Sequence, residues 1–129
     1  MLRIGEVMKT DIVTIDENGT IDEACTLMGE KHIGSLVVTR DGKPVGIFTE
    51  RDFLSKVVCA GVDACKLKVS EYMSEPLITV NQRFTVREAA RIMKDMKIKR
   101  LLVADGEEIV GIFTAADLVE VIAETPFDF

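Results

Sequence analysis

The sequence predicts an α+β fold in which two β-α-β-β-α repeats pack through their sheets as a pseudo-twofold pair. Three observations carry this prediction: an internal duplication at constant spacing, strands rich in β-branched residues that alternate with amphipathic helical segments, and turn signals between paired strands. A chain of 129 residues with 47% hydrophobic residues can bury such a core without a metal or a disulfide.

The duplication is the clearest feature of the sequence. The segment Val45-Gly-Ile-Phe-Thr49 recurs letter for letter as Val110-Gly-Ile-Phe-Thr114, and Met8 recurs as Met73 at the same offset of 65 residues. Two copies are too few for a solenoid, so two subdomains packed face to face are expected. The predicted organisation is a first repeat over residues 1–60, a linker over residues 61–68, and a second repeat with a short tail over residues 69–129.

Each repeat contains the same order of predicted elements. A short helical turn leads into a strand, a T-x-x-E capping box starts an amphipathic helix, and a two-stranded hairpin precedes a final helix. In the first repeat these are the turn at 4–8, the strand at 12–15, the capping Thr20, the strands at 35–39 and 45–48, and the helix after Thr49. In the second they are the turn at 69–73, the strand at 77–80, the capping Thr85, the strands at 101–104 and 109–113, and the helix after Thr114. Asp41-Gly42 and Asp105-Gly106 are the expected hairpin turns.

Composition argues against several classes of protein. The formal net charge of −6 and the low aromatic content, 5% without Trp, make nucleic acid an unlikely partner. No apolar run reaches the roughly 20 residues of a membrane span, and the N-terminal residues do not resemble a signal peptide. Three cysteines without a C-x-x-C pair indicate neither a zinc site nor a disulfide framework. We therefore expect a cytoplasmic protein that has no membrane partner.

An enzymatic role is not expected. The chain has a single histidine, His32, which we expect at an exposed helix end. The sequence also lacks a Walker-type loop, a cluster of metal ligands and a poised base. These features predict no catalysis, no metal and no catalytic cofactor.

The repeated G-I-F-T-x-x-D segment is the strongest candidate for a binding site. Its threonine, Thr49 or Thr114, ends a buried strand, and its aspartate, Asp52 or Asp117, follows in the first turn of a helix. The free N–H groups of a helix start suit a phosphate, and a carboxylate can accept both hydroxyls of a ribose. The same threonine and aspartate can also serve only as a helix cap, so both interpretations stay open at this point.

The order of these elements, with G-I-F-T-x-x-D at the same place in both repeats, resembles the cystathionine beta-synthase (CBS) domain. A tandem pair of these domains is called a Bateman module, and the resemblance covers residues 4–123. It implies a pseudo-symmetric module whose two clefts between the repeats bind adenosine-containing ligands, such as AMP, ADP, ATP or S-adenosylmethionine. It also implies a regulatory role and pairing into a homodimer.

The resemblance assigns roles to the matching residues of this chain. Asp52 and Asp117 would hold the ribose hydroxyls of the two sites, and Thr49 and Thr114 would bond the phosphate or the ribose. The backbone that would read the adenine edge lies at Ile12, Val13, Leu77 and Ile78.

The residues near these sites differ between the repeats. Lys99 and Arg100 precede the hairpin of the second repeat, where the first repeat has Gly34 and Ser35. Arg51 lies inside the first signature, where the second signature has an alanine. All five are candidate ligand contacts, and they give the two sites different charge.

This difference predicts two unequal sites, because the family often places basic residues of one repeat against the phosphate held by the other. The site with Asp52 would receive Lys99 and Arg100 and favour a phosphorylated ligand. The other site would receive Arg51 with His32 and hold a less charged nucleoside. Arg100→Ala is then expected to weaken nucleotide binding at one site only, and equal loss at both sites would contradict the prediction.

The sequence therefore favours a stand-alone sensor of an adenosine-containing ligand. The bound ligand would favour one arrangement of the repeats, which a homodimer partner or a separate effector protein would read. The tail at residues 125–129, with two phenylalanines, is a candidate contact for such a partner. The alternative is a ligand-free dimerisation or scaffold module in which the signature residues only cap helices.

Overall fold

The computed structural model describes residues 1–75 and 77–124, and the tail suggested as a partner contact lies outside the described residues. Both repeats show the predicted order of strands and helices. The first contains β1 (Thr14–Asp16), α1 (Ile21–Lys31), β2 (Ser35–Arg40), β3 (Lys43–Thr49) and α2 (Glu50–Asp52). The second contains β4 (Thr79–Asn81), α3 (Val86–Met96), β5 (Arg100–Asp105), β6 (Glu108–Thr114) and α4 (Ala115–Glu124).

Each repeat builds one three-stranded sheet, in the order β1-β2-β3 or β4-β5-β6. The first strand pairs in parallel with the middle strand, and the middle strand pairs antiparallel with the third. The sequence places the first strands at residues 12–15 and 77–80, whereas they begin at Thr14 and Thr79. The start is later because the parallel pairing begins only there, with Thr14 opposite Val37.

The main helix of each repeat begins and ends as the sequence indicates. Thr20 Oγ1 accepts a hydrogen bond from Glu23 N at 3.1 Å, and Thr85 caps α3 in the same way, so both predicted capping boxes are confirmed. His32 and Lys97 directly follow the last residues of these helices and have left-handed backbone conformation, with φ of 55° and 57°. His32 is exposed at this helix end, as predicted.

The two hairpins use different turn residues. Asp41 and Gly42 both have positive φ, 52° and 79°, as a type I′ turn requires. In the second hairpin Asp105 is the last residue of β5 and pairs with Glu108, so the prediction of Asp105-Gly106 as the turn pair is wrong by one residue. Gly106, with φ of 64°, instead takes the first turn position, where glycine tolerates the positive φ.

The chain forms two compact units that do not follow the order of the repeats. One unit is Val13–Leu77, and the other combines residues 1–12 with the chain from Ile78 onward. We call residues 1–12 the first lead-in segment and residues 66–77 the second lead-in segment, because each precedes the first strand of its own repeat. Each lead-in segment therefore belongs to the unit of the other repeat.

The first lead-in segment is held by backbone hydrogen bonds to the second repeat. Ile4 N donates to Phe84 O at 2.8 Å, and Lys9 exchanges two hydrogen bonds of 2.9 Å with Ile112 of β6. Between them lies a 3-10 turn at Ile4–Glu6, which is shorter than the predicted helical turn. Lys9 is thereby fixed at the free edge of β6.

The second lead-in segment makes the equivalent contacts with the first repeat. Its 3-10 turn lies at Val69–Glu71, and Val69 N donates to Gly19 O at 2.8 Å. Ser74 exchanges hydrogen bonds of 2.8 and 3.0 Å with Ile47 of β3. Ser74 therefore occupies the same place beside β3 that Lys9 occupies beside β6.

Each unit has its own core, and each lead-in segment contributes a fully buried side chain to it. Ile4 packs in the cluster that contains Phe113, and Val69 packs in the cluster that contains Phe48, all with no exposed surface. Burying an aliphatic side chain of this size contributes about 1.5–3 kcal/mol. The lead-in segments are therefore part of the cores and are more than connections.

The helix after each signature differs between the repeats. α4 is a regular α-helix, whereas α2 continues after Asp52 as a π-helix over Phe53–Val58. Cys59 N donates to Leu54 O at 3.1 Å, five residues back, which is the hydrogen bond of a π-helix. The sequence did not predict this difference.

Candidate functional site

Each G-I-F-T-x-x-D segment forms a strand-to-helix turn that contains a buried carboxylate. Thr49 N donates to Asp52 Oδ2 at 2.9 Å, and Asp52 N donates to Thr49 Oγ1 at 3.2 Å. Thr114 and Asp117 form the same pair of hydrogen bonds, at 2.9 and 3.1 Å. Asp52 and Asp117 are only 5% and 6% exposed. Both threonines therefore cap their helices, and both carboxylates are held below the surface.

A glycine before each turn allows a lead-in segment to approach closely. A Cβ at Gly46 would lie 2.7 Å from Met73 Sδ and 3.0 Å from the backbone oxygen of Ser74. A Cβ at Gly111 would collide in the same way with the sulfur of Met8. The lead-in segment thus lies directly on the strand, and its next residue comes close to the turn.

Two further side chains of the same unit bind the carboxylate of Asp52. Ser74 Oγ donates to Asp52 Oδ1 at 2.8 Å, and Lys56 Nζ lies 3.0 Å from the same oxygen. Thr49 Oγ1 donates to Oδ2 at 3.0 Å. With the Thr49 N–H, four donors occupy this carboxylate, which fills the roughly four acceptor positions that a carboxylate offers.

These contacts determine the protonation state of Asp52. Burial alone would raise the pKa of Asp52, because it disfavours the charged form. The hydrogen bond from Lys56, the backbone N–H of Thr49 and the Ser74 hydroxyl outweigh burial. The pKa of Asp52 is therefore lower than its ordinary value, and the carboxylate is ionised at neutral pH.

Lys56 also joins the helix to the second lead-in segment. Besides contacting Asp52, its Nζ donates to Tyr72 O at 3.2 Å and to Ser74 Oγ at 3.4 Å. All three protons of the ammonium group are thus engaged. The Lys56 side chain is 41% exposed, so water reaches one side of this cluster.

The carboxylate of Asp117 has fewer partners. Lys9 Nζ lies 3.9 Å from Asp117 Oδ1, which is an ion pair beyond hydrogen-bond distance, and 3.4 Å from Glu120 Oε2. Within residues 1–75 and 77–124, the hydrogen bond that this carboxylate accepts comes from the Thr114 backbone N–H. The two turns therefore have the same hydrogen bonds between threonine and aspartate, but different side chains surround the two carboxylates.

This difference originates at two positions of the duplication. Lys56 aligns with Val121, a buried residue of α4, and Ser74 aligns with Lys9. The sequence did not indicate Lys56, Ser74 or Lys9 as site residues, because they lie outside the signature. A signal was available, since aligning the repeats shows a change of polarity or charge at both positions.

The residue before each hairpin strand is hydrogen-bonded to the helix of its own repeat. Gly34 O accepts a hydrogen bond from Glu50 N at 3.0 Å, and Lys99 O accepts one from Ala115 N at 2.9 Å. These carbonyl groups fix the first N–H of each helix that follows a signature. Gly34 and Lys99 therefore help to position the helix start through their backbone carbonyl groups.

The next residue of each hairpin lies beside the signature threonine. Ser35 is directly opposite Thr49 in the antiparallel pairing, and Arg100 is directly opposite Thr114. Directly opposite residues share a face of the sheet, so Arg100 shares a face with Thr114. The expectation that Arg100 serves the site with Asp52 stays a prediction.

The remaining candidate contacts are divided between the two units. Arg51 and His32 are exposed. Among the residues expected to read an adenine edge, Ile12 and Ile78 belong to one unit and Val13 and Leu77 to the other. A role for these backbone groups in binding stays a prediction.

The described part of the chain shows neither a candidate metal site nor a membrane-spanning helix. It contains no group of three or more His, Cys, Asp or Glu side chains that could hold a metal ion. None of its helices combines the length and the apolar character needed to cross a bilayer.

Comparison with known protein families gives two matches along this sequence. The CBS domain matches residues 4–59 and residues 69–124. An uncharacterized protein of Methanopyrus kandleri is 38% identical over 120 residues, which cover 92% of this chain and 61% of the relative. The CBS domain-containing protein YhcV of Bacillus subtilis is 32% identical over 118 residues, which cover 92% of this chain and 84% of the relative. The chain also covers only 32% of a Methanocaldococcus jannaschii relative that is 36% identical.

Solved structures share the same fold. An uncharacterized conserved protein from Pyrococcus horikoshii has a TM-score of 0.88 and 35% identity, over 93% of this chain and 91% of that one. A hexameric CBS-CP12 protein from bloom-forming cyanobacteria has a TM-score of 0.86 and 32% identity, over 97% and 75%. CBSX2 in complex with AMP has a TM-score of 0.82 and 22% identity, over 98% and 99%.

Proposed function

The chain belongs to the CBS-domain family as a tandem pair, and we propose that it is a regulatory module that binds an adenosine-containing ligand at its two G-I-F-T-x-x-D turns. Asp52 and Asp117 accept hydrogen bonds from the ribose hydroxyls, and Thr49 and Thr114 add a contact to the ribose or the phosphate. AMP, ADP, ATP and S-adenosylmethionine share the adenosine group that these contacts recognise. The module works by binding, without catalysis and without a catalytic cofactor.

One observation carries this proposal: a carboxylate is buried at the same place in both repeats. Starting a helix does not require such burial, because the capping box of α1 uses Glu23, which is exposed. Burying a charge costs free energy unless it is paired, and Lys9 lies 3.9 Å from the carboxylate of Asp117, beyond hydrogen-bond distance. Two buried aspartates, Asp52 and Asp117, therefore indicate a role beyond helix capping.

The comparison with solved structures supports the choice of ligand class. CBSX2, which has the same fold, was crystallised with AMP. AMP combines the ribose diol and a phosphate with an adenine ring. It is therefore the first ligand to test on this chain.

Thermal unfolding of the purified protein, freed of bound ligand, tests the proposal with AMP, ADP, ATP and S-adenosylmethionine. A ligand at about 100 times its dissociation constant stabilises the folded state by about 2.7 kcal/mol. For a chain of this size we expect a rise of several degrees in the melting temperature. The double variant Asp52→Asn and Asp117→Asn should remove this rise. A carboxylate can accept a hydrogen bond from each of the two ribose hydroxyls, and the uncharged amide of asparagine cannot replace it in this role.

GTP is the matched control for ATP, since the two nucleotides have the same ribose and triphosphate but different bases. Equal shifts with GTP and ATP would indicate a general polyphosphate effect and would contradict an adenosine site. A shift that survives in the doubly substituted protein would also contradict the proposal.

A ligand-free scaffold is the second candidate function, because Thr49 and Thr114 do cap their helices. Leu54 and Val119 occupy equivalent positions after the two signatures and are 58% and 67% exposed, although they are apolar. A CBS-domain protein of the same fold is described as hexameric. We propose that this chain also self-associates, as a homodimer that a separate effector protein can read.

Sedimentation velocity, with and without AMP, measures self-association, and together with the thermal assay it separates the two candidate functions. A dimer with no thermal response to any of the four ligands favours the scaffold. A thermal response to one adenosine ligand favours the sensor, whether or not the chain is a dimer. A monomer at every concentration tested would contradict self-association.

A further inference from the structure

We propose that the two turns bind the adenosine ligand unequally, because Lys56 and Ser74 already occupy the carboxylate of Asp52. The ligand fills the turn with Asp117 first, which is the reverse of the sequence-based prediction that a phosphorylated ligand favours the turn with Asp52. The turn with Asp52 binds it only when Lys56 and Ser74 leave the carboxylate. This inference rests on the proposed function and adds the order of binding at the same sites.

The contacts of Asp52 leave no room for a ribose diol. Its four acceptor positions are taken by Thr49 N, Thr49 Oγ1, Ser74 Oγ and Lys56 Nζ. Two ribose hydroxyls need two of these positions. The hydrogen bond from the Lys56 ammonium group is charge-assisted and stronger than one from a neutral hydroxyl, so this exchange opposes binding.

The carboxylate of Asp117 lacks this competition. In the part of the chain that the structure describes, no side chain donates a hydrogen bond to its Oδ1. Lys9 lies 3.9 Å from this oxygen, its side chain is 59% exposed, and its nearer partner is Glu120. A diol can therefore bind Asp117 Oδ1 while Lys9 keeps its contact with Glu120.

The same contacts give ligand binding at Asp52 a structural consequence. Lys56 holds Asp52, Tyr72 O and Ser74 Oγ together, so it fastens the second lead-in segment to the π-helix. A ligand that displaces Lys56 loosens this connection. Binding at Asp52 is thus coupled to the attachment of the second lead-in segment, whereas binding at Asp117 breaks no equivalent hydrogen bond.

Isothermal titration of the full chain with AMP tests the order of binding. We expect the tighter site of the natural protein to disappear in Asp117→Asn and to persist in Asp52→Asn. The affinities of the tighter and weaker sites should differ by about tenfold or more, which corresponds to 1.4 kcal/mol per factor of ten.

Lys56→Met tests the cause of the difference. Methionine keeps a long apolar stem but removes the ammonium group, so the weaker site should bind AMP about tenfold more tightly. Lys66→Met is the matched control, because it removes the same charge from an exposed side chain whose ion-pair partner is Asp63 at 4.0 Å. If Lys56→Met does not fold, Ser74→Ala should give a smaller change in the same direction.

The outcomes separate this inference from the proposed function. Loss of the tighter site in Asp52→Asn, with its survival in Asp117→Asn, would overturn the inference and leave the proposed function intact. So would two sites of equal affinity, or a weaker site that neither Lys56→Met nor Ser74→Ala strengthens. No AMP binding by any of these proteins, and no thermal response to the other adenosine ligands, would overturn both.

Discussion

At the scale of single residues, Asp52 combines a structural contact with a candidate binding role. Its carboxylate is buried yet charged, because Lys56, Ser74 and Thr49 all donate to it. The low pKa of Asp52 means that the folded protein binds this proton more weakly than the unfolded chain does. The ionised carboxylate therefore stabilises the fold.

The sign of this effect gives a pH prediction. The stabilisation is fully present above the ordinary Asp pKa of about 4 and is lost as the pH falls through the lower pKa of the folded state. Asp52→Asn should lower the free energy of unfolding by about 1–2 kcal/mol near pH 7, a modest amount because Lys56 is partly exposed to screening water. Urea unfolding between pH 2 and pH 8 should show this difference shrinking below about pH 4.

Asp95→Asn is the control for the change in net charge, since Asp95 is exposed on α3. It should leave the stability nearly unchanged across the same pH range. A difference between Asp52→Asn and the natural protein that stays constant down to pH 2 would show that the charge of Asp52 contributes nothing.

At the scale of elements, the sequence predicted those features that are determined by contacts between residues close in the chain. The capping boxes at Thr20 and Thr85 fix the helix starts through residues three positions apart, so the sequence alone identifies them. The partner of Lys9 is Ile112, and no pattern within a window of ordinary length can reveal a pairing over that distance. Ser74 was not predicted for the same reason, because it lies 22 residues from Asp52. Lys56 lies only four residues after Asp52, so its contact is local, and it was not predicted because it lies outside the signature.

The π-helix after Asp52 was missed for a different reason. Both repeats carry the same signature, and no known sequence pattern specifies a π-helix over Phe53–Val58 where the second repeat forms α4. The hairpin turn at Gly106 was misplaced because Asp-Gly fits a turn in either of two registers. The duplication itself gives the correct register, since Gly106 aligns with Asp41.

The contact of each lead-in segment with its strand gives a second prediction. Gly46→Ala should lower the free energy of unfolding by about 1–3 kcal/mol, because the new methyl group meets Met73 and the backbone oxygen of Ser74. The methionine can rotate away, but the backbone oxygen cannot move without breaking the pairing with Ile47. Chemical denaturation measures the change.

Gly29→Ala is the matched control within the same unit. Gly29 lies in α1, and a methyl group there would meet nothing within 4 Å. Alanine should therefore raise the free energy of unfolding by about 0.5–1 kcal/mol, because it lowers the entropy of the unfolded chain. If both substitutions changed stability in the same direction, the close approach at Gly46 would not be the cause.

At the scale of the whole molecule, each lead-in segment precedes one repeat in the sequence but packs in the core of the other repeat. Ile4 precedes the first repeat but is buried with Phe113 of the second. Val69 precedes the second repeat but is buried with Phe48 of the first. A destabilising substitution in one lead-in segment is therefore expected to destabilise elements of the repeat that it does not precede.

Hydrogen exchange tests this expectation with Ile4→Ala. The substitution leaves a cavity in a fully buried site and should cost about 2–5 kcal/mol. Faster exchange is expected in α3 and β5, which pack in the same core as Ile4. Val69→Ala should instead speed hydrogen exchange in α1 and β2. Faster hydrogen exchange confined to the repeat that follows each substituted residue would contradict the assignment of each lead-in segment to the other repeat.

The same arrangement sets the order in which the units can be completed on the ribosome. The unit Val13–Leu77 is one uninterrupted stretch, so it can fold once it has left the exit tunnel, before the second repeat is finished. The other unit needs Lys9 to meet Ile112, about 100 residues later in synthesis. Until β6 is translated, Ile4 therefore lacks the core in which it is buried. The second repeat is completed by residues 1–12, which are translated before either repeat.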